Sequence, residues 1–255
     1  MTGNQGTVGR RLGTSPRTAR ALTNEGDWFK IHLLISQTEK QELSNMEQDH
    51  RTLLITCFEP FGGETENASM LAVDALPDTV GPWRLQKALL PVEFGTAGDR
   101  AIALAEEIGA EVVICVGQAA GRVAVTPELV ALNLQHARIP DNAGRSPRDV
   151  PVVPGAREAY FSTLPVRAMA EAICAESIPA ALSCSAGLYV CNDLYYRVLH
   201  HFHGTGVRAA FIHVPSCHGT PSMEPSAAAH ALALAIGRIP VEAEAQPEVS
   251  GKTHG

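Results

Sequence analysis

Residues 85–117, LQKALLPVEFGTAGDRAIALAEEIGAEVVICVG, contain the pattern that decides the fold. An apolar run, Leu85–Val92, is followed by the helically spaced apolar residues of Thr96–Ile108 and then by the β-branched run Val112–Gly117. A strand, a helix and a strand in this order predict a βαβ unit, in which the two strands lie in one sheet.

The alternation begins at Arg51 and continues to Ile236. Such a pattern is typical of the α/β class, with a mainly parallel or mixed sheet. The predicted strands are Thr52–Cys57, Leu85–Val92, Val112–Gly117, Leu129–Leu134, Ala180–Cys184 and Ala209–Val214. The predicted helices are Ser69–Leu76, Thr96–Ile108, Pro165–Glu176, Leu188–His201 and Ser222–Ile236. Residues 138–155 are rich in Pro, Gly, Asp and Asn, which predicts a long functional loop.

Composition limits the classes of partner. The chain has 255 residues, of which 45% are hydrophobic, so it can bury one sizeable core. Its net charge of -7 argues against a nucleic-acid binder, which usually presents a basic surface. No apolar run reaches 18 residues, which argues against a membrane span, and no signal peptide is evident. The six cysteines form no C-x-x-C pair, and a cytoplasmic location is expected.

The two ends of the chain differ from its middle. Residues 1–50 are polar over most of their length, which predicts a disordered extension or a start codon assigned too early, with Met46 as the alternative start. Residues 51–240 are predicted to form one catalytic domain. Residues 241–255 are predicted to be a flexible tail.

Cys191 is the first candidate nucleophile. It follows the Gly-containing turn of Ser185–Val190 and begins a predicted helix. Unpaired N–H groups and the dipole at a helix start favour an anion, so a thiolate is expected to be more populated there. Taken alone, however, a single cysteine beside Val190 and Tyr189 is commonly a small buried hydrophobe.

His213 and Glu128 are candidates for the groups that would activate Cys191. His213 lies at the carboxyl end of a predicted strand, where open α/β sheets place their ligand crevice, although a lone histidine there is also compatible with a core residue. His218, in a Cys-His-Gly turn, is a competing base. Glu128 follows Pro127 and could orient an imidazole or simply cap an exposed turn.

The sequence motifs argue against a phosphate-binding loop and against a metal site. Neither Phe61-Gly-Gly nor residues 117–122 (GQAAGR) has the glycine and lysine spacing of a nucleotide-binding loop. No H-E-x-x-H motif is present, and in the cluster of His200, His201 and His203 the adjacent histidines lie on different faces of a helix.

The motifs, taken together and in order, resemble the pyroglutamyl peptidase I family over about residues 53–236. The segments that carry the resemblance are 56–63 (TCFEPFGG), 117–122 (GQAAGR), 126–128 (TPE), Asn133, 137–142 (ARIPDN), 159–165 (AYFSTLP), 185–192 (SAGLYVCN) and 211–215 (FIHVP). The resemblance implies a single-domain, three-layer α/β/α fold of the phosphorylase/hydrolase-like type, with a mixed, mainly parallel, twisted sheet.

The resemblance also implies a function and a set of site residues. The expected activity is that of a cysteine exopeptidase, an omega peptidase that removes N-terminal pyroglutamate from peptides through a thioacyl intermediate. Cys191, His213 and Glu128 would form its catalytic triad. The substrate-binding residues would be Phe58, Phe61, Gln118, Arg138, Ile139, Tyr189 and Val190. The family requires no cofactor or metal, and its members are often homo-oligomers, so a tetramer or dimer is expected.

Several residues depart from the family pattern. Cys57 replaces a glycine next to the expected pocket, Leu129 replaces an arginine after the glutamate, and Cys184 replaces an asparagine. The loop after His213 is also short. The pocket changes favour one alternative, a hydrolase of another small amide or lactam. Two others stay open: a relative that keeps the fold without catalysis, and an enzyme like the purine-nucleoside phosphorylases, with which the family shares its fold.

Overall fold

The computed structural model describes residues 51–242, and its centre is strand β1 (Arg51–Phe58). Leu53, Leu54 and Ile55 are consecutive and all buried, so this strand is covered on both of its faces. It pairs in parallel with β3 (Trp83–Leu90) on one side and β4 (Val112–Gln118) on the other. The βαβ unit predicted from residues 85–117 is therefore confirmed, with β1 lying between its two strands.

Three more strands complete the main sheet. β10 (Arg208–Val214) is parallel to β4, and β5 (Thr126–Glu128) is antiparallel to β10 at one edge. β2 (Thr79–Val80) is antiparallel to β3 at the other edge. The order is β2-β3-β1-β4-β10-β5, which confirms a mixed, mainly parallel sheet. Two small ribbons lie outside it and consist of β6 (Val130–Leu132) with β9 (Ala159–Phe161), and β7 (Gln135–His136) with β8 (Arg148–Val150).

Helices cover both faces of the sheet. They are α1 (Ala68–Asp74), α2 (Thr96–Glu107), α3 (Val166–Ala175), α4 (Val190–His201) and α5 (Pro225–Ile236). The apolar sides of α1, α3 and α5 pack in one hydrophobic cluster with Leu53, Ile55 and alternate residues of β4 and β10. Those of α2 and α4 pack in a second cluster with Leu54 and the intervening strand residues. The expected three layers are present, because alternate residues of a strand point to opposite faces.

One predicted strand is shorter than expected, and another is wrong. The strand predicted over Leu129–Leu134 is present only as β6 (Val130–Leu132), because Leu129 interrupts the strand structure between β5 and β6. Leu129 N donates to Ser183 O at 2.7 Å and Leu129 O accepts from Ser162 N at 2.9 Å, so both of its backbone groups bond to loop segments. Ala180–Cys184 forms only two isolated bridges, at Ala180 and Ser183, alongside β5. Its backbone runs at the sheet edge without forming a ladder.

The other predicted elements agree with the observed ones to within one to three residues at each end. The loop over residues 138–155 contains one short strand, β8, which pairs with β7. Within residues 51–242, no helix is long and apolar enough to cross a membrane. The expectations for residues 1–50 and for residues 243–255 concern positions outside the described range. The expectation of a homo-oligomer remains a prediction.

Candidate functional site

Cys191 is the second residue of α4 and lies where the parallel strands β4 and β10 end. Its side chain is partly buried, and its Sγ lies 3.0 Å from the point that a Cβ on Gly117 would occupy. Such a Cβ would also lie 2.8 Å from Cζ of Phe211. Gly117 in β4 therefore provides the space in which the thiol sits.

Burial raises the pKa of the Cys191 thiol to about 12, and the nearby Glu128 carboxylate raises it further. The Arg122 charge and a backbone hydrogen bond at Cys191 act in the opposite direction but do not offset burial. The expectation of a thiolate stabilised by the helix start is therefore wrong for the ligand-free protein, since desolvation of the anion outweighs the helix start. The thiol is neutral at pH 7.

His213 and Glu128 form a buried pair. The Nδ1 atom of His213 lies 2.7 Å from Oε1 of Glu128, and the two residues are 3% and 0% exposed. Because Glu128 accepts at Nδ1, the neutral imidazole carries its proton there and leaves Nε2 as an acceptor. Tyr195 in α4 donates from its hydroxyl to the backbone oxygen of Glu128 at 3.1 Å, which ties this strand to the helix of Cys191.

Arg122 is a third member of this group, and its role was not predicted from the sequence. Its Nη1 donates to Oε1 of Glu128 at 2.6 Å and also to Oγ1 of Thr126, while its Nη2 donates to Ser185 O at 3.1 Å. Leu129 departs from the family pattern by carrying no positive charge, but Arg122 places a guanidinium directly on Glu128. An arginine six residues before the glutamate, in a turn, was the available signal.

The electrostatics of the pair follow from burial and these contacts. Burial alone would raise the pKa of Glu128, but the hydrogen bonds and charge of His213, together with Arg122, lower it below its ordinary value. Burial lowers the pKa of His213 below 6.5, and the opposing effect of Glu128 is too small to restore it. The charge of Arg122 lowers it further. At pH 7 the site therefore contains an ionised Glu128 and a neutral His213.

A cavity of about 510 Å³ opens onto Cys191 and His213. Nearly every residue predicted for the site lines it, and Glu128 alone lies behind His213. No acidic side chain belongs to the lining, whose members all fall within the described range. The lining residues are Phe58, Phe61, Asn67, Val92, Gln118, Ala119, Ala120, Arg122, His136, Arg138, Ile139, Ala186, Gly187, Leu188, Tyr189, Val190, Cys191 and His213.

Aromatic rings form one wall of the cavity. The rings of Phe61 and Tyr189 have their centroids 6.4 Å apart, and Phe94 packs edge-on against Tyr189 at 5.2 Å. The Tyr189 hydroxyl donates to Pro140 O at 2.9 Å, which fixes the ring and the loop after β7 together. The wall is therefore held in place before any ligand binds.

Polar groups near the aromatic wall come from β4 and from the start of α1. Gln118 is buried, and its Oε1 accepts from the backbone N–H of Ala68 at 2.6 Å. Asn67, the N-cap of α1, also lines the cavity, and its Nδ2 donates to Glu59 O at 3.0 Å. Asn67 was not predicted from the sequence as a site residue, although an asparagine before a helix start is the usual signal of an N-cap.

Arg138 and Ile139 lie at the outer rim of the cavity and are exposed. The loop that carries them is shaped by Asp141, whose carboxylate accepts from the backbone N–H groups of Phe94 at 2.9 Å and Arg145 at 2.7 Å. These two predicted site residues are therefore positioned by a fixed loop and not by a strand or helix.

The structure separates the remaining candidates from the cavity. His218 is exposed and pairs with Glu66 at 2.7 Å, so it is not the base beside Cys191. Cys57 packs in the hydrophobic cluster on the opposite face of the sheet from Phe58, and the expectation that it approaches the pocket is wrong. Cys184 is exposed and is not part of the cavity lining.

Known proteins of one family are similar to this chain in sequence and in fold. The family model described as pyroglutamyl peptidase matches residues 51–242. The pyrrolidone-carboxylate peptidase of Enterococcus faecalis is 45% identical over 165 residues, which cover 64% of this chain and 78% of that protein. The Enterobacter sp. protein of the same name is 40% identical over 213 residues, which cover 80% of this chain and all of that protein.

Solved structures of the same kind share the fold. The crystal structure of pyroglutamyl peptidase I from Bacillus amyloliquefaciens superimposes with a TM-score of 0.72 at 34% identity, covering 76% of this chain and 97% of that chain. A mutant pyrrolidone carboxyl peptidase from Pyrococcus furiosus gives 0.69 at 39% identity, covering 74% and 97%. The match of the family model over three quarters of the sequence, with these relatives, shows that the chain belongs to the pyroglutamyl peptidase family of cysteine peptidases.

Proposed function

We propose that this protein is an exopeptidase that hydrolyses the bond after an N-terminal pyroglutamate, with Cys191 as nucleophile, His213 as base and Glu128 as the group that orients His213. The observation that carries the proposal is the buried His213–Glu128 pair, 2.7 Å apart, at the end of a cavity that also contains Cys191. Nucleophile, base and orienting carboxylate are the three parts that activation of a cysteine requires.

The neutral resting state favours general-base catalysis. As the Sγ of Cys191 bonds to the scissile carbonyl carbon, its proton passes to Nε2 of His213, and the carbonyl electrons move to oxygen. Glu128 stabilises the imidazolium that forms. The backbone N–H groups at the start of α4 are the donors that we assign to the oxyanion. A thiol with a pKa of about 12 would be a poor nucleophile without this concerted proton transfer.

The tetrahedral intermediate then breaks down to a thioester, and water hydrolyses the thioester. The C–N bond breaks as Nε2–H of His213 protonates the leaving amine, which leaves a thioester between pyroglutamate and Cys191. Water next attacks the thioester carbonyl while His213 takes its proton. The C–S bond breaks, the sulfur recovers the proton from His213, and free pyroglutamate leaves.

The cavity lining explains a preference for a blocked N-terminus. An ordinary peptide begins with an ammonium group, which needs a carboxylate partner when it is buried. The cavity lining contains no acidic side chain, while Arg122 and Arg138 are cationic. Pyroglutamate is an uncharged, flat lactam, and we assign its binding to the aromatic side chains of Phe58 and Phe61 in the cavity lining. Since Oε1 of Gln118 is occupied by Ala68 N, the NH₂ group of Gln118 is the donor we assign to the lactam carbonyl.

The proposal is tested with pyroglutamyl-aminomethylcoumarin and its prolyl and alanyl analogues. We expect cleavage of the pyroglutamyl compound alone, and loss of cleavage after treatment with iodoacetamide. Proline lacks the lactam carbonyl that Gln118 would bind, and alanine adds an ammonium group. Absence of cleavage by folded, reduced protein, or equal cleavage of all three compounds, would overturn the proposal.

A further inference from the structure

A cluster of three different side chains lies outside the cavity. Glu66 precedes α1, and Cys217 and His218 lie in the short loop after β10. One possible ligand atom from each residue lies within 4.8 Å of the other two. None of the three lines the cavity, so the proposed peptidase reaction does not use them.

The donor set is the kind that binds zinc-class ions. A thiolate and an imidazole favour zinc or a similar borderline transition metal over magnesium and calcium, which prefer all-oxygen sites. The thiolate and the carboxylate together carry two negative charges, which balance the charge of a divalent cation. A three-residue set leaves a fourth tetrahedral position for water.

The distances suit such an ion after a small movement. Bonds of about 2.0–2.3 Å to a tetrahedral ion place neighbouring ligand atoms about 3.3–3.8 Å apart. Nε2 of His218 and Oε2 of Glu66 are now 2.7 Å apart, in a hydrogen bond that the ion would replace. Both side chains are partly exposed, at 65% and 44%, so they can separate without disturbing the core.

The backbone on both sides is already ordered. Glu66 is followed by Asn67, which is 1% exposed and bonds Glu59 O and the N–H of Ser69. On the other side, Ser216 is buried, and its backbone oxygen accepts from Met223 N at 2.9 Å. An ion would therefore join two segments whose positions are largely set beforehand, which reduces the entropy lost on binding.

We propose that Glu66, Cys217 and His218 form a binding site for a zinc-class divalent cation, separate from the Cys191 site. The ion joins the segment before α1 to the loop after β10. Because these segments adjoin Asn67 and His213, which both line the substrate cavity, the ion holds together two sides of that cavity. The peptidase reaction proposed above does not need the ion.

Cobalt(II) is the probe we would use, since a bound thiolate gives it a charge-transfer absorption in the near ultraviolet and tetrahedral geometry gives it intense visible bands. The full-length, reduced and metal-free Cys191→Ala variant serves as the starting protein, because it removes the other thiol that lies near an imidazole. We expect both absorption signals to saturate at one equivalent of cobalt. Zinc should displace the bound cobalt and abolish both signals.

Single changes in that variant locate the site. Adding Cys217→Ser should abolish the charge-transfer band, and His218→Gln or Glu66→Gln should weaken cobalt binding at least about tenfold, the smallest loss typical of even an outer-sphere partner. Adding Cys184→Ser, which removes an exposed thiol elsewhere, should change neither signal. Absence of a charge-transfer band in the starting protein, or a band that survives Cys217→Ser, would overturn the proposal. Far-ultraviolet circular dichroism of each variant checks that it is folded.

Discussion

Glu128 and His213 meet diagonally across two antiparallel strands. In the register of β5 and β10, Glu128 lies opposite Phe211, and His213 lies two residues further along β10 on the same face of the sheet. Diagonal neighbours of this kind are within reach of long side chains, and here Nδ1 and Oε1 are 2.7 Å apart. The pair is therefore set by strand register, so it is present without substrate.

Removal of the nucleophile is the simplest test. We expect Cys191→Ala to lower kcat roughly 10⁴-fold or more, because no other thiol lines the cavity among the described residues. Thermal unfolding should show a folded protein. Cys184→Ala, which changes an exposed thiol outside the cavity, is the matched control and should keep its activity. Substantial turnover by Cys191→Ala would refute the assignment.

The pH profile should report the buried imidazole. Its pKa lies below 6.5, so His213 is neutral and active at pH 7 and becomes protonated only as the pH falls through that lower value. We expect kcat/KM for the pyroglutamyl compound to fall on the acid side with a midpoint below about 6.5. A midpoint above neutrality would contradict a desolvated His213.

Glu128→Gln should change the rate and the pH profile together. The amide can donate to Nδ1 and favour the wrong tautomer, so kcat should fall roughly 10²- to 10⁴-fold. Because Glu128 raises the pKa of His213, its loss should also move the acid limb to lower pH. A purely structural role would change stability without moving that limb, and measuring the full profile separates the two.

Arg122→Ala should move the acid limb the other way. The arginine charge lowers the pKa of His213, so its removal should shift the limb to higher pH. It also leaves the buried Glu128 with one fewer partner, and we expect a loss of about 1–3 kcal/mol in the free energy of unfolding. Arg167→Ala, on the exposed side of α3, is the control. An unchanged pH profile would argue against a positioning role for Arg122.

Gly117→Ala tests the space around the sulfur. The new methyl group would lie 3.0 Å from Sγ of Cys191 and 2.8 Å from Cζ of Phe211, so either the thiol or the ring must move. We expect most activity to be lost, and stability to fall by about 1–3 kcal/mol. Gly237→Ala, where the nearest atoms are carbonyl oxygens at 3.5 Å, should behave like the parent protein in both assays. Normal activity in Gly117→Ala would show that the thiol has more room than the structure gives it.

The resting state of the thiol can be followed by alkylation. With a pKa of about 12, Cys191 carries little thiolate at neutral pH. The rate of reaction with iodoacetamide in the ligand-free protein should therefore keep rising from about pH 7 to about pH 10. The rate is best measured by mass spectrometry of the peptide that contains Cys191. A plateau reached below pH 7 would instead indicate a preformed thiolate and imidazolium pair.

The sequence by itself determined the class of fold and the main candidates. Strand and helix periodicity are local properties, so the βαβ unit of residues 85–117 and the ends of most elements could be predicted. The motif around Cys191 and the apolar strand that ends in His213 were also readable, because each lies within a few consecutive residues. The strand predicted over Leu129–Leu134 was too long and the one predicted over Ala180–Cys184 was wrong, because both depend on pairing with distant segments.

Only the tertiary structure decided which candidates act together. The family resemblance pointed to His213, but the local sequence left His218 as a competing base, since the choice depends on which imidazole lies beside Glu128 in space. Strand register places His213 there and leaves His218 with Glu66. The role of Arg122 and the high pKa of Cys191 likewise depend on burial and on distances between residues far apart in the chain. Interactions between charges weaken with distance and strengthen as water is excluded. The distances between these residues and their burial are both properties of the folded protein alone.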